Sequence, residues 1–367
     1  MLKIFGSPSR YLQGPQALSE MGPYIARLGA SAVLIADRTV LSLIGERVLD
    51  VCRASGVACE ALEFSGEIIP REVERLARLA RTSNPAFVFG AGGGKGIDAG
   101  KAVAHALDLP VVTIPTAASN DAPTSKNYVL YDESHRLLRV EHMKANPEVV
   151  VVDTSLIVTA PAHMFTAGIG DAIVKKFEVE QCSRAGGPNM FGARGCQAAV
   201  ALANLCYETL RERGVSALHA VRQHTVDEDV EHVVEATVLL SGLGFESGGL
   251  SISHAMTRGL SAVRGARDAL HGHQVAYALL VQLVLERRDD VFLADIVQFY
   301  RDTELPVCLS DIGMPDPNAD EIQRIAEGTM TAPHVKNFER TLDARDISRA
   351  IEEVERRSAT RGPAKAR

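Results

Sequence analysis

The stretch Phe87-Val88-Phe89-Gly90-Ala91-Gly92-Gly93-Gly94-Lys95-Gly96-Ile97-Asp98-Ala99-Gly100-Lys101 decides how the chain is read. Residues 86–89 form an apolar run with the composition of a buried strand. Five glycines follow at 90, 92, 93, 94 and 96, and then a helix-like run from Ile97 to Leu107. Strand, glycine turn and helix N-terminus make a holder for phosphate. Glycines let the backbone approach the anion, unpaired N–H groups point at it, and the helix dipole favours its charge. Lys95 adds a point charge. The pattern is not the strict G-x-G-x-x-G, because Lys95 stands where the last glycine belongs, and no Gly-Lys-Ser/Thr closes it as a P-loop. It follows roughly the third strand rather than the first. A glycine-rich turn with no ligand is the bland alternative. Asp98 and Lys101, one helical turn apart, favour a ligand.

Outward from this stretch, residues 1–162 alternate β-like and helical runs. Strands are expected at 32–36, 58–64, 110–115 and 149–152, with a hairpin from 128–131 and 137–141. Helices are expected at 16–28, 41–55 and 70–82. Such alternation implies a parallel sheet covered on both faces, with ligands outside the carboxyl ends of its strands. Asp37, Gly92–Lys95 and Thr116–Asp121 all fall at such ends. For Asp37 two readings stand: a carboxylate for a ribose diol, or a cap for the helix that begins near Val40. After Pro161 the strand signal ends, and helical periodicity dominates 163–184, 190–213, 228–262 and 269–287. The expected organisation is an α/β nucleotide-binding domain at 1–162, an all-α domain at 163–357, and a disordered basic tail at 358–367.

Composition bounds the function. The 367 residues are 46% hydrophobic and 23% charged, which suits a globular protein of two domains. A net charge of −7 argues against nucleic acid or an anionic membrane as partner. Six cysteines without C-x-x-C spacing read as free thiols in a reducing compartment. No apolar run spans a bilayer, and no signal-peptide pattern opens the chain, so the expected location is cytoplasmic.

Three residues of the helical half fit poorly as core. Asp171 lies in Ala167-Gly168-Ile169-Gly170-Asp171-Ala172, His254 in an apolar helical run, and His271 and His273 flank Gly272. An aspartate on an apolar face is costly unless it is paired or bound to a cation. Two imidazoles and a carboxylate can form an open metal site for Zn²⁺ or Fe²⁺. A metal-free hydrogen-bond network of the same residues is the alternative.

Taken with Pro115-Thr116-Ala117-Ala118-Ser119-Asn120-Asp121-Ala122-Pro123 and Gly244-Phe245-Glu246-Ser247-Gly248-Gly249-Leu250, these motifs stand in the order found in a known family. The chain resembles the iron-containing (group III) alcohol dehydrogenases over roughly residues 5–355, and their glycerol dehydrogenase branch in particular. The resemblance implies an N-terminal α/β nucleotide-binding domain, a C-terminal helical domain and a deep cleft between them. It implies NAD-dependent, metal-dependent oxidation of glycerol, or a related vicinal diol, to the hydroxy-ketone. The metal ligands carry over onto Asp171, His254 and His271, with zinc ahead of iron. The NAD contacts carry over onto Asp37, Gly92, Gly93, Gly94, Lys95, Asp98, Thr116, Ser119, Ser125, Asn127 and Tyr131. Asp121 becomes the polyol contact; Asp121 and His271, with His273 or a water chain, are candidates for proton transfer. A homo-oligomer, from dimer to octamer, is implied as well.

The chain departs from that pattern at Lys126, Asn127, Lys175, Lys176 and His273. A Lys126 that faces substrate would favour an anion, a hydroxy acid or a phosphorylated polyol. Lys175 lies at i+4 from Asp171, on the same helix face. The preferred reading of Lys175 and Lys176 is solvation or pairing with Glu178 and Glu180. Rival readings are a dehydroquinate synthase, which needs a richer basic pocket and a glutamate ligand, and a binding protein that has lost its chemistry.

Overall fold

The computed structural model describes residues 2–133 and 137–359. Among these residues the chain divides into two compact units. The first comprises Gly6–Phe165 and His219–Gly242; the second comprises the residues up to Phe5, Thr166–Leu218, and those from Leu243 onward. The sequence boundary at 162/163 lies three residues before the crossing at Phe165, but nothing in the sequence reading anticipated the return of 219–242. Of the expected tail, Ser358 and Ala359 are the last residues of the helix Ala344–Ala359. Residues 360–367 lie outside the described residues.

The first unit is built on a six-stranded sheet of β1 (Arg10–Gly14), β2 (Ser31–Ala36), β3 (Ala58–Glu63), β4 (Phe87–Gly92), β5 (Val111–Pro115) and β8 (Val149–Asp153). Their order is β1-β8-β5-β4-β2-β3, and every pairing is parallel. The hairpin of β6 (Asn127–Tyr131) and β7 (Leu137–His142) stands apart from the sheet. Side-chain alternation divides the core in two. Leu34, Phe87, Phe89, Ile114 and Val151 pack on one face with Leu18, Met21, Ile25 and Val48. Val33, Ile35, Val88 and Val111 pack on the other with Leu76, Ala80, Ala102 and Val103. Strands buried on both faces must be apolar throughout, which is why β4, β5 and β8 were readable. β1 was not: Arg-Tyr-Leu-Gln-Gly carries no strand pattern, and it holds only an edge position against β8.

The segment His219–Gly242 is tied to this unit by polar contacts. Gln13 Nε2 donates to the Glu231 carboxylate at 2.7 Å, Thr154 Oγ1 donates to the same carboxylate at 2.6 Å, and Thr124 Oγ1 donates to Val238 O at 3.1 Å. The second unit is helical. The helices Ala162–Ile173 (its last eight residues), Lys175–Ala185, Ile252–Ser261, His271–Leu285 and Ala319–Met330 carry its core. The helical run expected over 228–262 passes through a π-helical turn at Ala236–Leu240 and is broken at Gly249, which lies in the left-handed region.

Candidate active site

In the first unit, Asp37, Gly93 and Thr116 follow the carboxyl ends of the neighbouring strands β2, β4 and β5. β4 runs to Gly92, Gly93 is the extended N-cap, and the helix begins at once with Gly94. The helix therefore starts three residues earlier than its apolar pattern suggests. Its N-cap is a glycine and makes no side-chain cap, and the first N–H groups of a helix have no helical partner. The glycines serve different ends. A methyl at Gly96 would meet Ala91 O at 2.3 Å, and one at Gly100 would meet Gly90 Cα at 2.2 Å. These positions allow helix and strand to touch. A methyl at Gly93 would meet nothing within 4 Å, so Gly93 borders open space at the helix N-terminus.

The remaining residues expected to hold NAD are placed as follows. Asp37 Oδ1 accepts from Val40 N at 3.0 Å and so caps the short helix Arg38–Val40. Lys95 Nζ pairs with Glu67 at 2.7 Å while half exposed. Asp98 is buried, accepts from Val129 N at 3.0 Å, and lies 3.9 Å from Lys101 Nζ. Lys101, fully buried, donates to Ala122 O at 2.5 Å and Asn127 O at 2.7 Å. The Asp98–Lys101 pair thus joins helix to hairpin from the inside. Burial pushes the Asp98 carboxyl up to about 6, against the pull of Lys101. Thr116 N donates to Gly92 O at 3.1 Å, and Ser119 Oγ accepts from Asn120 Nδ2 at 3.3 Å. Ser125 is buried. Asn127 opens β6, with its Oδ1 2.7 Å from His142 Nδ1, and Tyr131 closes it. Asp121 is buried and accepts from Ser241 Oγ at 2.6 Å, a partner that sequence reasoning missed. Lys126 is half-buried and, after burial itself, helps depress the pKa of His142.

In the second unit, the ligand atoms of Asp171, His254 and His271 lie within 4.8 Å of one another. Asp171 Oδ1 is 3.3 Å from His254 Nε2 and 3.8 Å from His271 Nε2. The sequence supports this locally. Gly170 and Gly272, each next to one of these residues, remove the side chains between two helices: a methyl at Gly272 would meet Ala167 O at 1.8 Å, and one at Gly170 would meet Gly272 O at 2.6 Å. The backbones touch, and carboxylate and imidazole are set side by side. His271, the first residue of its helix, is half exposed, while Asp171 is buried.

Two further residues complete the cluster. Glu178, two turns after Asp171, is fully buried. Its Oε2 is 2.5 Å from His254 Nδ1, and its Oε1 accepts from the backbone N–H of Ser251 and of His254, each at 2.9 Å. The imidazole is thereby oriented with Nδ1 toward the carboxylate and Nε2 toward Asp171. Burial works against the His254 imidazolium, yet Glu178 raises its pKa to about 9. The sequence signal for Glu178 was its spacing of seven from Asp171, which repeats a helix face. Lys175 is the second. It is fully buried, and its Nζ lies 2.6 Å from Asp171 Oδ1. The expectation that it is solvated or paired with Glu178 is corrected: the i+4 geometry delivers it to Asp171 instead. Burial would raise the Asp171 carboxyl, but the Lys175 ammonium holds it well below the usual range. Lys176 does pair with Glu180, at 3.0 Å, and also contacts Asn204. His273 Nε2 is 2.9 Å from Thr166 Oγ1.

The iron-containing alcohol dehydrogenase family is matched by residues 8–154. A glycolaldehyde reductase of Halobacterium salinarum is 38% identical over 327 residues, which is 89% of this chain and 90% of that protein. A glycerol dehydrogenase of Escherichia coli is also 38% identical over 327 residues, 89% of each. Among solved structures, glycerol dehydrogenase of Schizosaccharomyces pombe superposes with a TM-score of 0.94 at 32% identity, covering 98% of this chain and 92% of that one. Identity at this level over nearly the full length of both partners shows common descent, and the chain belongs to the iron-containing alcohol dehydrogenases, within the group that includes the glycerol dehydrogenases.

Proposed function

We propose that this protein is an NAD-dependent oxidoreductase that oxidises glycerol, or a small vicinal diol like it, to the hydroxy-ketone. The observation that carries the proposal is the identity of 38% to a glycerol dehydrogenase along 89% of both chains, joined to a chain that keeps Asp171, His254 and His271 together. The donor set fits one divalent ion. It offers a carboxylate and two imidazoles, and Glu178 engages Nδ1 of His254 so that Nε2 is the ligand nitrogen. Asp171, His254 and His271 would hold the ion. When bound, it supplies Lewis acidity that lowers the pKa of a substrate hydroxyl. Carboxylate and imidazole donors suit zinc and iron alike, and the family's name gives zinc no preference.

The chain's own residues do the rest. The uncapped N-terminus at Gly94 and the open space beside Gly93 suit a pyrophosphate. Asp121, fixed by the Ser241 hydroxyl, offers an anionic acceptor for a polyol hydroxyl. Half-exposed His271 leaves this cluster open to solvent on its side. The anionic-substrate alternative rests on Lys126 alone, and the glycerol dehydrogenases among the relatives do not favour it. No helix among the described residues is long and apolar enough to cross a membrane; a cytoplasmic homo-oligomer is part of the proposal.

The test is NADH formation with glycerol, 1,2-propanediol and a set of 2-hydroxy acids and phosphorylated polyols, with NADH-driven reduction of glycolaldehyde as a parallel arm. Activity confined to the neutral diols supports the reading. Turnover of the anions alone would move the substrate class and give Lys126 a role.

A further inference from the structure

The surroundings of Lys175 Nζ are those of a finished cation site. It donates to Asp171 O at 2.9 Å and to Asp171 Oδ1 at 2.6 Å, and lies 3.2 Å from His254 Nε2. The ring of Phe245 covers it at 5.5 Å, and the side chain has no exposure to solvent. Asp171 and His254 both belong to the metal cluster. An ion bonded to Asp171 Oδ1 at about 2.1 Å could lie no farther than about 4.7 Å from Lys175 Nζ, given the 2.6 Å contact. A doubly charged ion and an ammonium that close, inside a buried pocket, repel strongly.

We propose that Lys175 is the resident cation of this site: its ammonium engages Asp171 Oδ1 and His254 Nε2, and a divalent metal enters only by displacing it. The inference rests on reading Asp171, His254 and His271 as the metal centre. Its consequence is a site that keeps its shape without metal and binds metal weakly, because each ion must break a buried ion pair to enter.

The experiment is calorimetric titration of chelator-stripped protein with Zn²⁺, on the wild-type chain and on Lys175→Met. The expected result is that the variant binds one ion about a hundredfold more tightly, or more, and that adding Asp171→Asn to the variant removes this binding. Thermal melts give a second readout: chelator should lower the melting temperature of Lys175→Met while leaving the wild type unchanged. Should Lys175→Met fail to fold without metal, Lys175→Gln keeps the length and hydrogen bonding without the charge, and carries the same comparison. Equal affinity in wild type and variant would overturn the competition while leaving the metal centre in place. Tight binding in the wild type that is lost in the variant would overturn it too, since Lys175 would then support the ion. No stoichiometric binding in either protein would overturn both the competition and the metal reading beneath it.

Discussion

Glu178 illustrates how much of the site depends on a residue that touches no substrate. It spends one oxygen on two backbone N–H groups and the other on His254 Nδ1. Replacing it with Gln keeps the volume and can still accept from the backbone, but the imidazole loses its anionic partner. Glu178→Gln is expected to lower metal affinity or kcat/KM by about 10–100-fold, with a circular dichroism spectrum like that of the wild type. Asp98 makes a prediction about pH. Its carboxyl, raised to about 6 in the fold, holds a proton that the unfolded chain has already released near pH 4. Folding therefore gains most from Asp98 below pH 4, and that gain is lost as the pH rises through 6. Relative to Asp98→Asn, the wild type should lose about 2 kcal/mol of stability between pH 4 and pH 7, measured by urea denaturation at each pH. A difference that does not change with pH would show that Asp98 titrates normally.

Among the elements, the two glycine contacts separate structure from binding. Gly272→Ala drives a methyl to 1.8 Å from Ala167 O, and neither helix backbone can yield without moving Asp171 or His271. Loss of activity together with a fall in stability of about 3 kcal/mol is expected, read from a thermal melt. Gly93→Ala should behave oppositely. Its backbone, at φ −74° and ψ −169°, is open to any residue, and the methyl meets no protein atom within 4 Å. The melting temperature should stay within a degree or two while KM for NAD rises about tenfold. An unchanged KM would show that no phosphate lies against Gly93. The same elements show what a sequence discloses. β4 and the turn after it were legible because full burial on both faces demands an unbroken apolar run. Asp171, His254 and His271 stood out because polar side chains on apolar faces need a reason. β1 was hidden because an edge strand can be polar. Glu178 was hidden, and Lys175 was read as solvated or paired with it, because a charged residue on a helix is usually solvated; only the fold shows that both reach the same imidazole.

For the molecule as a whole, the discontinuous first unit carries its own prediction. Residues 6–165 include all six sheet strands, yet the acceptors and donors offered to Gln13, Asp121, Thr124 and Thr154 come from 231–241. A fragment of residues 6–165 should be cleaved by protease much faster than the same region in the full chain. Joining 219–242 to it through a flexible linker should restore most of the protection. Equal resistance with and without 219–242 would mean that the sheet and its helices suffice.

The path of the chain also sets an order of events during synthesis. The sheet is finished when Asp153 has been made, but the unit that contains it waits for Gly242. Between Phe165 and Gly242 the ribosome must add 77 residues, which takes on the order of ten seconds. Throughout that interval a complete parallel sheet is tethered beside a half-made helical unit, with Thr124 and Asp121 lacking their final partners. The nascent chain therefore meets its greatest exposure to chaperones in mid-translation, and codons that slow the ribosome between 166 and 242 would lengthen it.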